Sequence, residues 1–142
     1  ETFLQTAFDE RESRQILRTH VAADPHPEYP ELAVGPDTQD HVFLLSYQQA
    51  QAYFPERDSR KAAGTAYAFA RNVSNEDGIS YWWLRTPSNL KSRPASDVHC
   101  DGRVGGEDNY GYDNAGGVRP VICINLAVDP LTDLLETAGF IE

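Results

Sequence analysis

The sequence predicts a small α+β domain of short helices, a small antiparallel sheet and long loops. Three observations lead there. Short amphipathic stretches follow helix-capping signals, and apolar or aromatic runs of only four or five residues have strand length. Between them lie segments rich in Gly, Pro, Asn and Asp, which favour turns over regular structure.

At 142 residues, the chain has the usual size of one domain and buries a core without needing disulfide or metal staples. Phe3, Leu4, Ala7 and Phe8 share one helical face. Asp9 and Glu12 form a capping-box start for a second short helix that carries Ile16 and Leu17 toward the core. Residues 23–40 hold Pro25, Pro27, Pro30, Gly35 and Pro36 and form a loop, either packed down or functional given its length. Val42-Phe43-Leu44-Leu45 reads as a buried strand. Ser46, with Gln49 three residues on, caps the helix Tyr47–Phe54, and Pro55 closes it.

Thr65 to Arg71 forms another short helix. The aromatic run Tyr81-Trp82-Trp83-Leu84-Arg85 is a strand ended by Thr86-Pro87. Alternation on that strand sends Trp82 and Trp83 to opposite faces, one of them core. Residues 95–105 form a hairpin around Cys100-Asp101-Gly102-Arg103, residues 118–126 a closing strand, and residues 129–138 a terminal helix capped by Asp129 with Pro130.

Charge and chemistry narrow the function. Twelve Lys and Arg stand against 22 Asp and Glu, a net charge of -10. That excess excludes a nucleic-acid partner, which needs clustered basic residues, and disfavours anionic membranes. No apolar run reaches the roughly 20 residues that cross a bilayer, so no membrane insertion is expected. Glu1 opens into an amphipathic pattern and not into a signal peptide. Cys100 and Cys123 match no zinc or thioredoxin spacing and fit either one disulfide or two free thiols.

Four segments in order then become informative: Val42-Phe43-Leu44-Leu45-Ser46, Ala66-Tyr67-Ala68, Trp82-Trp83-Leu84-Arg85-Thr86-Pro87 and Gly117-Val118-Arg119-Pro120. With the Phe3–Phe8 pattern, this series resembles a bacterial domain family of unknown function. Its hallmarks are an FLLS segment, a WWLRSP segment, a variable polar stretch and a closing GVRPAL-x-INL. The resemblance spans residues 3–126 of a single domain, leaving 127–142 as a C-terminal extension. That family is similar in turn to the C-type-lectin and formylglycine-generating-enzyme fold. The resemblance implies an exported or surface setting and a variable polar surface on a constant scaffold.

Catalysis lacks its parts. The related oxidase uses a close thiol pair, and no Cys-x-x-x-x-Cys occurs here. His20, His26, His41 and His99 have no metal-binding spacing and read as surface residues. No Gly-x-Ser-x-Gly elbow supports a hydrolase, and Asp97 with His99 reads as hairpin surface. An enzyme that has lost the usual thiols is the competing class. Glu107, Asp108, Asn109, Asp113 and Asn114 have the oxygen chemistry calcium takes, but the Glu-Pro-Asn and Trp-Asn-Asp motifs of calcium-dependent sugar binding are absent. No cofactor is therefore expected, calcium being the one ion that loop would suit.

The expected function is a non-catalytic module that binds protein or glycan through residues 88–115. Tyr110 and Tyr112 offer amphipathic contact area and Asn, Ser, Asp and Gly offer adaptable hydrogen bonds, as in a paratope. Ligand contacts are expected from Asn89, Lys91, Arg93, Asp97, His99, Asp101, Arg103 and the 107–114 stretch. Some proteins of the lectin-like fold are diversified by retroelements, whose products are rich in Asn, Tyr, Asp and Ser. Trp82, Trp83, Arg85 and Arg119 are expected to be scaffold, each arginine tying loops through carbonyls or a carboxylate.

Overall fold

A computed structural model describes residues 2–89, 95–105 and 115–127. The chain is a small α+β domain of short helices and two-stranded antiparallel sheets. Helices α1 (Phe3–Ala7), α2 (Glu10–Gln15) and α3 (Tyr47–Tyr53) each start at a full capping box, from Thr2/Gln5, Asp9/Glu12 and Ser46/Gln49. Such reciprocal side-chain bonds satisfy the orphan N–H groups of the first turn, which is how helices of five to seven residues persist here. Helix α4 (Arg57–Arg60) follows Pro55, and α5 (Ala66–Ala70) is capped by Thr65.

Strand β1 (Thr19–Val21) pairs with β2 (Thr38–Asp40), so the expected 23–40 loop already returns to the sheet at Thr38. Strand β3 (Ala62–Ala63) pairs with β4 (Ile79–Ser80). Strand β5 (Trp82–Pro87) pairs with β6 (Ala95–Val98) and carries the core. Side chains along β5 alternate between buried and half-buried, which puts Trp82, Leu84 and Thr86 inside.

The core gathers Leu45, Ala50, Trp82, Leu84 and Val98, with Phe54, Ala62, Val104 and Val121 packed against it. Trp82 is 2% exposed and Leu84 1%; burial of side chains this size contributes about 2 kcal/mol each. Trp82 Nε1 donates to the Arg60 carbonyl at 3.0 Å, so its polar edge is satisfied inside the core. Trp83 turns to the other face and meets Tyr81 edge-on at 5.6 Å between centroids. Gly116 lies against that indole so closely that a Cβ would overlap it.

Three sequence expectations change. Residues 42–45 form no regular strand: Phe43 makes a single bridge to Val121, and the Leu45 carbonyl accepts the Arg85 N–H. Residues 118–126 likewise lace the domain by isolated bridges, Val121 to Phe43 and Ile124 to Ile16, just after Gly117 meets Trp82. Pro120 has no N–H to give a ladder, which breaks any continuous pairing there. Ile16 is buried as expected, whereas Leu17, Val118, Ile124 and Leu126 are exposed. The expected helix at 129–138 lies outside the described residues.

The proline-rich loop is packed down, mostly by one side chain. Arg85 Nε and Nη2 donate to the Ala22 carbonyl at 3.2 and 3.1 Å, and Nη1 donates to the Leu44 carbonyl at 2.9 Å. Nη1 also donates to Gln49 Oε1 at 2.6 Å, and Nη2 to Asp24 Oδ2 at 2.7 Å. The guanidinium fork thus joins the loop, the 42–45 segment and the α3 cap. Burial pushes the Arg85 pKa down, while Asp24 pulls it back up.

Candidate functional site

A pocket of about 460 Å³ opens between the packed-down loop, α3–α4 and the β6 hairpin. Its wall brings together His26, Glu28 and Tyr29 from the loop, Tyr47 from α3, Arg57 and Arg60 from α4, and Ser88 and Asn89 after β5. Ser96, Arg103, Val104 and Gly105 complete it from the hairpin.

Local chemistry fixes each group. His26 is 4% exposed and sits between Tyr29 and Tyr47, with ring centroids 4.9 and 5.0 Å away. Its Nδ1 accepts the Glu28 N–H at 3.2 Å, which leaves the proton on Nε2. Tyr47 donates its hydroxyl to the Val104 carbonyl at 3.2 Å. Burial, then the nearby Glu28 charge, pushes the Tyr47 pKa up, so the phenol stays protonated. The Tyr47 N–H donates to Thr86 Oγ1 at 2.9 Å, a buried bond that pins α3 to β5.

Arg60 is 8% exposed. Nε donates to the Gly102 carbonyl at 2.7 Å, and Nη1 to the Phe54 and Pro55 carbonyls at 2.6 and 3.0 Å. These bonds hold the guanidinium plane and the hairpin turn together. That turn has its own lock: Asp101 accepts the Arg103 N–H at 2.9 Å and Arg103 Nε at 2.8 Å. Arg57 Nη2 lies 3.9 Å from the same carboxylate. Gly102 has φ of +83°, and a Cβ there would run into the Arg57 carbonyl, so only glycine fits.

The sequence-predicted site residues separate into three groups. Asn89 and Arg103 line the pocket. Asp101 lies behind it, locking the turn, and His99 is mostly covered, its Nδ1 3.4 Å from Asp101. Asp97 departs from the surface expected for it: it is 1% exposed, covered on the Trp83 side of the β5–β6 pair, opposite the face that sends Val98 into the core. His26 also departs from the expected surface position, because the loop that carries it is drawn down by Arg85 and by Gln48, whose Nε2 donates to the Pro25 carbonyl at 2.8 Å. Lys91, Arg93, Glu107, Asp108, Asn109, Tyr110, Tyr112, Asp113 and Asn114 lie outside the described residues.

The scaffold expectation divides between the two arginines. Arg85 ties loops through carbonyls and a carboxylate. Arg119 instead lies over aromatic rings, 4.5 Å from the Phe54 centroid and 5.1 Å from that of Trp82. Its buried Nη1 has no hydrogen-bond partner among the described residues. Cys100 and Cys123 are both free thiols. Among the described residues no cluster of three or more His, Cys, Asp or Glu side chains is placed to hold a metal ion, and no helix is long and apolar enough to cross a membrane.

Sequence reading missed Arg57 and Arg60. The available signal was their i,i+3 spacing directly after the helix-ending Pro55, which puts both on one side of a single turn.

Compared with known families, the sequence matches the Domain of unknown function (DUF6273) across residues 1–126. The chain belongs to the DUF6273 family. Comparison with curated proteins and with solved structures finds no match. In this DUF6273 chain the matched region takes in the whole pocket, from His26 to Gly105.

Proposed function

We propose that this DUF6273 domain is a non-catalytic binding or display module of an exported or surface protein, with a C-type-lectin-like architecture. Its binding face is the pocket together with residues 88–115, and its partner is a protein or a glycan. One observation carries the proposal: Asn89 and Gly105, the described residues from which segments 90–94 and 106–114 depart, both line the pocket. In the chain these two residues adjoin the Tyr-, Asn- and Asp-rich stretch, and the site they line is concave and polar. The enclosure of Asp97 supports a binding role over acid–base chemistry, because it takes one of the two candidate catalytic groups away from any substrate.

Glycan and protein arrays probed with the purified chain and a Tyr110→Ala/Tyr112→Ala variant test the proposal. Wild type should bind a defined set of ligands. The variant should bind them at least tenfold more weakly with an unchanged unfolding transition. A silent wild type on both arrays, or a variant without a melting transition, would refute it. Adenine-rich codons at 109–114 beside a template repeat would mark the loop as retroelement-diversified.

A further inference from the structure

We infer that the pocket takes an acidic sugar unit, a hydroxyl-rich ligand with one carboxylate, and that Arg60 is the carboxylate's contact. This rests on the binding-module proposal and specifies its ligand. The chain carries a net charge of -10 with only 12 basic residues, yet among the described residues three arginines and one acid, Glu28, line this pocket.

Arg60 is more than nine-tenths buried, and three backbone carbonyls occupy Nε and Nη1. Nη2 makes no hydrogen bond among the described residues, and no carboxylate there pairs with the group. A buried cation with a held plane and unspent N–H groups favours a carboxylate over water. Nε2–H of His26 and the half-exposed Arg57 guanidinium supply further donors around it.

The remaining wall accepts hydrogen bonds. Glu28 is an acceptor, the Tyr47 hydroxyl has already given its proton to Val104, and Ser96 Oγ has given its own to the Pro87 carbonyl at 3.0 Å. These groups suit ligand hydroxyls. Phosphate brings two negative charges against Glu28 and few protons for the acceptors. A neutral sugar leaves Arg60 without a counter-charge. A monosaccharide acid satisfies both sets, and about 460 Å³ is room for one or two rings.

Amide-resolved NMR titration of the whole chain with D-glucuronate, D-glucose, inorganic phosphate and N-acetyl-glutamate, at one ionic strength, tests this. Glucuronate should shift the amides of Arg60, Gly102 and Gly105 and bind at least tenfold more tightly than the other three. Arg57→Gln, on a half-exposed side chain, should weaken glucuronate about tenfold with an unchanged melting temperature. Lys61→Gln, which removes an equal charge outside this pocket, should leave it unchanged.

Equal binding of glucose overturns the role of Arg60, and equal binding of phosphate overturns the sugar. Tighter binding of N-acetyl-glutamate moves the ligand to acidic peptides. Absence of pocket shifts with every probe overturns the inference outright. The arrays decide separately whether the chain is a binding module, so the two failures are distinguishable.

Discussion

Replacing Arg85 by methionine should cost the domain about 3 kcal/mol. The side chain donates five hydrogen bonds to four groups: Ala22, Leu44, Gln49 and Asp24. It is 17% exposed and its Asp24 partner 30%, so solvent screens the ion pair only in part. Methionine keeps the length and the apolar stem but strands the Leu44 carbonyl and the Asp24 carboxylate and leaves the Ala22 carbonyl only the Asp24 N–H at 3.1 Å. Breaking a buried pair from one side costs roughly 3–5 kcal/mol, and the partial exposure of Asp24 places this site at the lower end. For a chain of this size, about 3 kcal/mol is a fall of roughly 9 °C in melting temperature.

Calorimetry on wild type, Arg85→Met, Arg85→Lys and Asp24→Asn apportions the loss. Lysine keeps the charge near Asp24 but lacks the planar fork, so it should recover about half. Asp24→Asn should cost about 1 kcal/mol. If Arg85→Met fell by under about 2 °C, the fork would not be what holds the proline-rich loop. If it merely equalled Asp24→Asn, the carbonyl contacts would contribute nothing.

Gly102→Ala should destabilise the chain by about 2 kcal/mol or more, because φ of +83° and the Arg57 carbonyl both oppose a Cβ; urea unfolding measures it, and a neutral result would mean the turn relaxes freely. Burial pushes the Cys100 thiol up to about 11, so at pH 8 iodoacetamide should alkylate it roughly a hundredfold more slowly than an ordinary thiol, read by mass spectrometry. The Ala23 N–H, and then His20, holds the Asp37 carboxyl below its ordinary 3.8. Its stabilising effect is therefore complete above pH 3.8 and lost as pH falls through the lower folded value; carboxyl NMR titration should give a midpoint below 3.8, and Asp37→Asn should flatten stability across that range.

The sequence by itself determined the local pieces. Capping boxes at Asp9 and Ser46, the turn around Gly102 and the alternation of Trp82 and Trp83 depend on residues within three or four positions of one another, so spacing alone displays them. Tertiary structure decided what the apolar runs became. Residues 42–45 and 118–126 have strand composition, but each meets its neighbours at single bridges, a matter of which backbone lies alongside and not of propensity. It also decided the site. His26, Arg60 and Arg103 are distant in sequence and carry no motif; they converge because Arg85 draws one loop inward while Arg60 grips the Gly102 carbonyl from another. Long-range hydrogen bonds of that kind leave no periodic trace in a chain, since each needs only one suitable donor and one carbonyl that any residue could supply.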